Sequence, residues 1–439
     1  MKLNKTQYTV FFFFTFFAFK GVSQEKELLT VEEAVSIALE NNYQIKIVSN
    51  KLKIDETSIS PGFAGMLPSV NAVADSNNSL QNITQTRSDG TKVSLDNAKN
   101  NSLNYGVALD WTIFDGLSMF ARYDQLQEVK KLGEVALKQA ILSTVSDVMI
   151  TYFNLVQQQQ QLNALDSTLV ISKQRVVLAN NRFSIGKASK LELLNAQVDE
   201  NTDQTLYLRQ QEGFKNAKIR LNEILARDIK TDFRVVALIS VAKNLELTSL
   251  EEQAKSQNPQ LQAHLINKRI AELALKQLKG TRLPTLNAQA GYMFGDSESS
   301  LGFTTNNNAK GFNYGLSARF NIFNGFNQNR TEKIAKIQIE NSELLIAQQT
   351  QLLASQLAIA YQTYTTNLKL MELEVTNEII AKENLEITMA KYRIGTIPTI
   401  EFRTAQLNYI NAVVRSTNAV YEAKLSEITL KELSGSLKL

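Results

Sequence analysis

Two stretches of the chain alternate strictly between apolar and polar positions. In the first, Tyr105, Val107, Leu109, Trp111 and Ile113 share one side, and Gly106, Ala108, Asp110 and Thr112 the other. In the second, Tyr314, Leu316, Ala318, Phe320 and Ile322 oppose Gly315, Ser317, Arg319 and Asn321. A period of two over about ten residues predicts a strand with one apolar and one polar face. Weaker alternation near 70–76 and 286–294 predicts a partner strand for each. The Asn/Ser/Thr/Gly-rich stretches 77–102 and 296–312 between partners read as loops too polar for a core. Each pair is therefore a strand–loop–strand hairpin, giving four strands.

The pattern then changes period. Positions 117–185 contain no Pro and one Gly, Gly133, and positions 326–394 contain neither. Each run is 69 positions long, about 100 Å if it is one helix at ~1.5 Å per residue. Gly186 and Gly395 end these runs. Shorter helices return over 189–226 and over 399–433, the latter opened by Pro398. A further helix precedes each hairpin, over 31–60 and 250–280, with Thr30 and Glu33 forming a capping box at the first. The two shorter helices of each set together match the long one, which predicts that they stack end to end beside it.

The same order of parts occurs twice. Leu67-Pro68-Ser69-Val70-Asn71-Ala72 recurs as Leu283-Pro284-Thr285-Leu286-Asn287-Ala288. Asn104-Tyr105-Gly106, running to Ile113-Phe114-Asp115-Gly116, recurs as Asn313-Tyr314-Gly315, running to Ile322-Phe323-Asn324-Gly325. Arg182-Phe183-Ser184-Ile185-Gly186 recurs as Lys391-Tyr392-Arg393-Ile394-Gly395, and Ala196-Gln197 as Ala405-Gln406. The last three pairs share one offset of 209 residues, whereas the Leu-Pro pair is offset by 216 because the first hairpin is seven residues longer. The chain is a tandem duplication. Residues 24–230 form the first repeat and 231–439 the second, which begins with a linker over about 228–248.

Composition narrows the setting. Lys2 and Lys5 precede an apolar run rich in Phe from Val10 to Phe19, followed by the small residues Gly21 and Ser23. That is the form of an export signal over residues 1–23, too short to span a bilayer. There is no Cys, so an exported chain has neither a disulfide framework nor a lipid-bearing Cys at the cleavage site. The formal charge of +4 falls near +1 without the lysines of the signal, which leaves no footprint for nucleic acid. No later run is long and apolar enough for a transmembrane helix. His264 is the single His, and no phosphate-binding loop, dinucleotide turn or nucleophile–base set appears. Neither enzyme chemistry nor a cofactor is indicated. The five Gln at 157–161 read as a polar face of the first long helix.

Four two-faced strands cannot stand alone in lipid, where every backbone group must be paired within a closed barrel. Single-chain barrels begin at eight strands, so other copies must complete this one. Tyr105, Trp111, Tyr292 and Tyr314 are the candidates for an aromatic belt at the membrane interface. A soluble sheet with one buried face would fit the strands but not helices of such length beside them. An exported filament protein of the flagellin type is the alternative, against which the signal and the duplication both speak.

The duplicated order of helix, Leu-Pro hairpin, Ile-Phe-Asp/Asn-Gly, long helix and Ile-Gly tip resembles the TolC-type outer-membrane efflux proteins over essentially the whole exported chain. The resemblance implies an α+β fold: an all-α periplasmic helical barrel above which trimerisation completes a transmembrane β-barrel, four strands per chain. It implies a passive exit duct for efflux or type I secretion in the outer membrane, passing drugs, small molecules or proteins. Its partners would be two further copies, a periplasmic adaptor at the helical tips and an inner-membrane pump of RND or ABC type that supplies the energy.

Carried onto this sequence, the adaptor-docking tips are Ile185, Gly186 and Lys187, and Ile394, Gly395 and Thr396. Lys187 stands where the family more often has an apolar residue. Glu192 and Glu401, each six residues past a tip glycine, match acids that ring the periplasmic aperture, where three copies would concentrate negative charge. Tyr392 matches a tyrosine of the closed aperture. Thr404 replaces a second acid one turn on, and Ile397 replaces a tip arginine, so closure by the family's salt-bridge network is not expected to carry over unchanged.

Overall fold

The computed structural model describes residues 28–300 and 304–437; the expected export signal lies outside them. The first repeat runs through β1 (Leu28–Leu29), α1 (Val31–Asn41), α2 (Tyr43–Thr57), β2 (Ser69–Thr86), β3 (Lys92–Phe114), α3 (Ser118–Ser184) and α4 (Lys190–Ile224). The second runs through β4 (Arg234–Val235), α5 (Leu247–Gln257), α6 (Pro259–Gly280), β5 (Thr285–Ser299), β6 (Asn306–Arg319), α7 (Asn327–Ile394) and α8 (Thr399–Leu433). Both long helices are continuous, with 67 residues in α3 and 68 in α7, or about 100 Å each.

The strands form one antiparallel sheet in the order β2-β3-β5-β6. The two hairpins share one register: Ser69 lies opposite Asp110 in the first and Thr285 opposite Arg319 in the second, the same positions of the repeat. Cross-strand register then gathers the alternating apolar positions on one face. Its rows are Ala72–Val107–Tyr292–Phe312, Val70–Leu109–Ala290–Tyr314 and Trp111–Ala288–Leu316. Asp110, Gln289 and Gly315 form a row of the opposite face.

Three expectations fail here. The expected loop over 77–102 is mostly strand, because β2 and β3 continue to Thr86 and Lys92 and turn at Asp89-Gly90. Gly90 has φ +85°, and the Thr91 amide donates to Asp89 Oδ1 at 2.9 Å. Period-two alternation reports a buried face, and where water reaches both faces the backbone ladder holds a polar strand with no such pattern. The loop over 296–312 shortens in the same way. The second alternating stretch continues to Ile322, but β6 ends at Arg319, opposite Thr285. The residue before Thr285 is Pro284, which has no amide to extend the ladder.

The helices before the hairpins were each expected to be single. Each is broken at an Asn that caps two helices at once. Asn42 Oδ1 accepts from the amides of Gln44 and Ile45, and Asn258 Oδ1 from that of Leu261. Their Nδ2 groups donate at 3.0 Å to the last carbonyls of the returning helices, Ile224 O and Leu433 O. Asn42 thus joins the end of α4 to the start of α2, and Asn258 joins α8 to α6. The end-to-end stacking is present, with side-chain amides as its joints. The capping box also forms: Thr30 N donates to Glu33 Oε2 at 2.9 Å and Glu33 N to Thr30 Oγ1 at 3.2 Å.

The helices lie as a slab of four columns: α4 with α2, then α3, then α8 with α6, then α7. At mid-height β1 pairs in parallel with β4, and the main core gathers there around Val148, Tyr152, Leu155, Leu221, Leu225 and Phe233. Tyr152 Oη ties this belt together, donating to Leu29 O at 2.9 Å and accepting from Val236 N at 3.1 Å. The repeated Ile-Phe-Asp/Asn-Gly motif makes the turn from sheet to long helix. Gly116 and Leu117 take left-handed φ of +70° and +69°, and Gly325 and Phe326 take +68° and +61°. Asp115 Oδ1 then caps Met119 N at 3.0 Å, and Asn324 Oδ1 caps Gln328 N at 3.3 Å.

Candidate functional site at the paired helical tips

At the end far from the sheet, α3 turns into α4 and α7 into α8. Both turns use a left-handed glycine, φ +75° at Gly186 and +82° at Gly395. Lys187 N donates to Arg182 O at 2.8 Å, and Thr396 N to Lys391 O at 3.1 Å, the 6→1 bond of a helix-ending Schellman turn. Ser189 then starts α4 by accepting from Glu192 N, and Pro398 starts α8. Two apolar side chains stand in water on each tip, Ile185 with Leu191 and Ile394 with Ile400, each at least 66% exposed. Lys187 and Thr396 are exposed beside them. A purely structural turn would not require those aliphatic side chains outside.

The two tips are clasped by Arg182, whose position in the second repeat is Lys391. Its Nη2 donates to Tyr392 O at 2.8 Å, its guanidinium lies 5.0 Å from the Tyr392 ring centre, and Nη1 is 3.7 Å from Glu192 Oε1. Glu192 also accepts from Thr399 Oγ1 at 3.0 Å. Glu192 is therefore a half-buried acid bonded across to α8, while Glu401 is exposed. Tyr392 is buried and stacked on Phe402 at 5.0 Å. Thr404 is exposed, and its hydroxyl bonds within its own helix, to Ile400 O. The structure thus brings Glu192 and Tyr392 together through Arg182, and leaves Glu401 and Thr404 apart from them.

Deeper in the bundle a polar network links α3, α4 and α8. Arg403 grips Asp203 through two nitrogens at 2.7 and 2.9 Å, and its Nε is 3.5 Å from Asp199. Arg175 also bonds Asp199. Ser172 Oγ donates to Asp203 at 2.5 Å, and Gln406 joins Arg403 to Ser172. These residues carry no periodic signal, since a buried ion pair looks on paper like two solvated charges. Arg182 and Gln406 lay within repeated motifs, and that repetition was the one available hint.

The four candidate belt aromatics share a face of the sheet, but Tyr105, Tyr292, Tyr314 and Trp111 occupy four successive rows. Tyr105 stacks on Phe294 at 5.1 Å, and Trp111 Nε1 donates to Met66 O at 2.9 Å where the sheet meets the helices.

A family described as "Outer membrane efflux protein" matches residues 34–227 and 250–436, one match per repeat. The chain is 21% identical over 414 residues to the outer membrane protein TolC of Vibrio cholerae, covering 92% of this chain and 90% of that one. It is 19% identical over 425 residues to the proteases secretion protein PrtF of Dickeya chrysanthemi, covering 95% and 90%. Its fold is that of the Campylobacter jejuni CmeC outer membrane channel, with a TM-score of 0.77 at 19% identity over 92% of this chain and 85% of that one. With both repeats matched and the fold in common, the chain belongs to the outer membrane efflux protein family, and is a passive exit channel of the outer membrane that spans the periplasm.

Proposed function

We propose that three copies of this chain close head to tail into one duct, with twelve strands in the barrel. The supporting observation is that contacts made inside the chain by one repeat are left open by the other. Gly116 packs so closely on Gly280 that a Cβ would stand 2.0 Å from its carbonyl oxygen, while its counterpart Gly325 has nothing within 4 Å. The sheet has two free edges, β2 and β6, and the slab has two, α4 with α2 and α7. Heterologous edges of this kind form a ring when the rotation closes.

The repeat offsets give the register of the joint. The β3–β5 pairing of Leu109 with Ala290, carried on by one repeat, sets Ala318 opposite Ala74 of the next copy. The chain has no Cys, so a variant with Cys at both positions is a clean probe. Paired β residues lie within disulfide reach. Oxidation should yield a covalent ladder ending at the trimer, with neither single variant cross-linking. Monomers alone from the double variant would sink the arrangement.

The tips supply the docking surface for a periplasmic adaptor, with Ile185 and Ile394 as the apolar contacts and Lys187 and Thr396 making the two kinds of site differ. An inner-membrane pump working through that adaptor provides the energy. Glu192 and Glu401 act at the aperture in different ways: Glu401 presents free charge to permeating ions, and Glu192 is held in the Arg182 clasp. In planar bilayers, Glu401→Gln should lower cation selectivity more than Glu192→Gln does. Arg182→Ala should instead raise the frequency of opening. Unchanged selectivity in the Glu401 variant would remove that residue from the mechanism.

A further inference from the structure

Above the tips, between α3 and the α7–α8 pair, lies a cavity of about 230 Å³. Ile171, Leu178, Met389 and Phe402 make most of its wall apolar. Two polar residues of the lining are almost wholly buried: Arg175 is 2% exposed and Tyr392 3%. Arg175 bonds Asp199 through Nη2, but among the described residues its Nε and Nη1 have no partner, and neither does the Tyr392 hydroxyl. Buried donors are nearly always paired, and an unpaired one on a charged group is the most unfavourable case. Asp199 and Asp203 balance the buried Arg175 and Arg403, and the exposed Arg393 adds a further positive charge to the lining. Arg182, on the far side of the Tyr392 ring, adds to the same sign while Glu192 offsets it.

An occupant that fits must accept hydrogen bonds, carry negative charge and have an apolar body. We propose that this cavity binds a small monocarboxylate with a short hydrocarbon chain. The carboxylate accepts from Arg175 and the Tyr392 hydroxyl, and the chain lies against Ile171, Leu178 and Met389. A volume of about 230 Å³ is just below that of sites for drug-sized ligands, ~300–1,000 Å³, so the site selects short acids. Because Arg175 belongs to α3 and Tyr392 to α7, the bound acid links the long helices of the two repeats. It stabilises their present spacing at the tip and opposes their separation.

The test is binding of hexanoate to the purified full-length channel, measured by calorimetry and by saturation-transfer NMR. Hexanol and hexylamine serve as neutral and cationic controls of equal chain length. Saturable binding of hexanoate is expected, with neither control binding comparably. Arg175→Gln should weaken it at least tenfold, and Tyr392→Phe about fivefold, the worth of one hydrogen bond. Tyr392→Phe removes a hydroxyl that no described residue holds, so it decides the matter if the Arg175 variant fails to fold. No saturable binding overturns the proposal. So does equal binding of hexanol, or hexanoate affinity unchanged in Tyr392→Phe. The readout is independent of conduction, so its failure would leave the channel reading intact.

Discussion

The two long helices come from one ancestral repeat and differ by one residue in length, yet α3 buries 22 of its residues and α7 only 7. The returning helices show the reverse: α8 buries 16 of 35 and α4 only 4 of 35. Mean hydrophobic content does not separate α3 from α7, although α8 is more apolar than α4. Place in the slab does, because α3 and α8 are flanked on both sides and α7 and α4 are not. Two equal units laid side by side must have two inner and two outer columns, and only a ring makes them equivalent. In the proposed ring the exposed Leu344, Leu352, Ile359 and Leu373 of α7 would face the neighbouring copy.

The comparison is broken most severely at the paired glycines. Gly116→Val forces a branched side chain into a left-handed position and against Gly280 O, and should lose on the order of 4 kcal/mol or more. Gly325→Val should lose only about 1–2 kcal/mol of backbone strain in an isolated chain. In an assembled ring it should be as damaging as Gly116→Val, so trimer yield against monomer folding separates the cases. Next in size, Asp203→Ala takes the two-nitrogen partner from the buried Arg403, leaving it Asp199 at 3.5 Å, and should destabilise by about 3 kcal/mol in denaturant unfolding. The repeat-equivalent positions are Leu194 and Ala412, so Arg403→Leu with Asp203→Ala should recover much of that loss by imitating the other copy.

A smaller effect should sort assembly from folding. Ile359→Asp, on the open side of α7, should shift unfolding by about 0.5 kcal/mol or less while lowering the trimer fraction by native mass. Leu357→Asp, two residues away and 1% exposed, should unfold the second repeat instead. The smallest is a pH effect on α8. Burial raises the Glu427 pKa, but bonds from Lys431, the Ala242 amide and Lys424 outweigh it and hold the carboxyl below the usual 4.5. Its contribution is therefore present above that value and lost as pH falls through the lower folded pKa. In Glu427→Gln the loss of stability below pH 4.5 should be shallower. The first repeat has Lys218 at this position, with the paired carboxylate on Asp232 instead.

Legibility in the sequence followed burial. The long helices, tip glycines and apolar strand face were readable because each is set by a period or by a residue with special backbone freedom. The outer halves of β2 and β3 were not, since water on both faces imposes no alternation; Asp89-Gly90 was the local sign of their turn. The break at Asn258 was marked by Pro259, whereas that at Asn42 had only an Asn that also suits a helix interior poorly. Glu192 and Glu401 looked equivalent at one offset, and Arg182 made them different by reaching one of them.

The sequence by itself determined the duplication, the lengths of the two long helices, the two turns and the two-faced sheet, because these depend on spacing along the chain. Only the tertiary structure decided which copy lies inside and which at the edge, which acid is clasped and which is free, and where Arg175 and Tyr392 leave donors unpaired. Those are outcomes of what stands beside a residue in space, and two identical repeats in one linear chain cannot have the same neighbours.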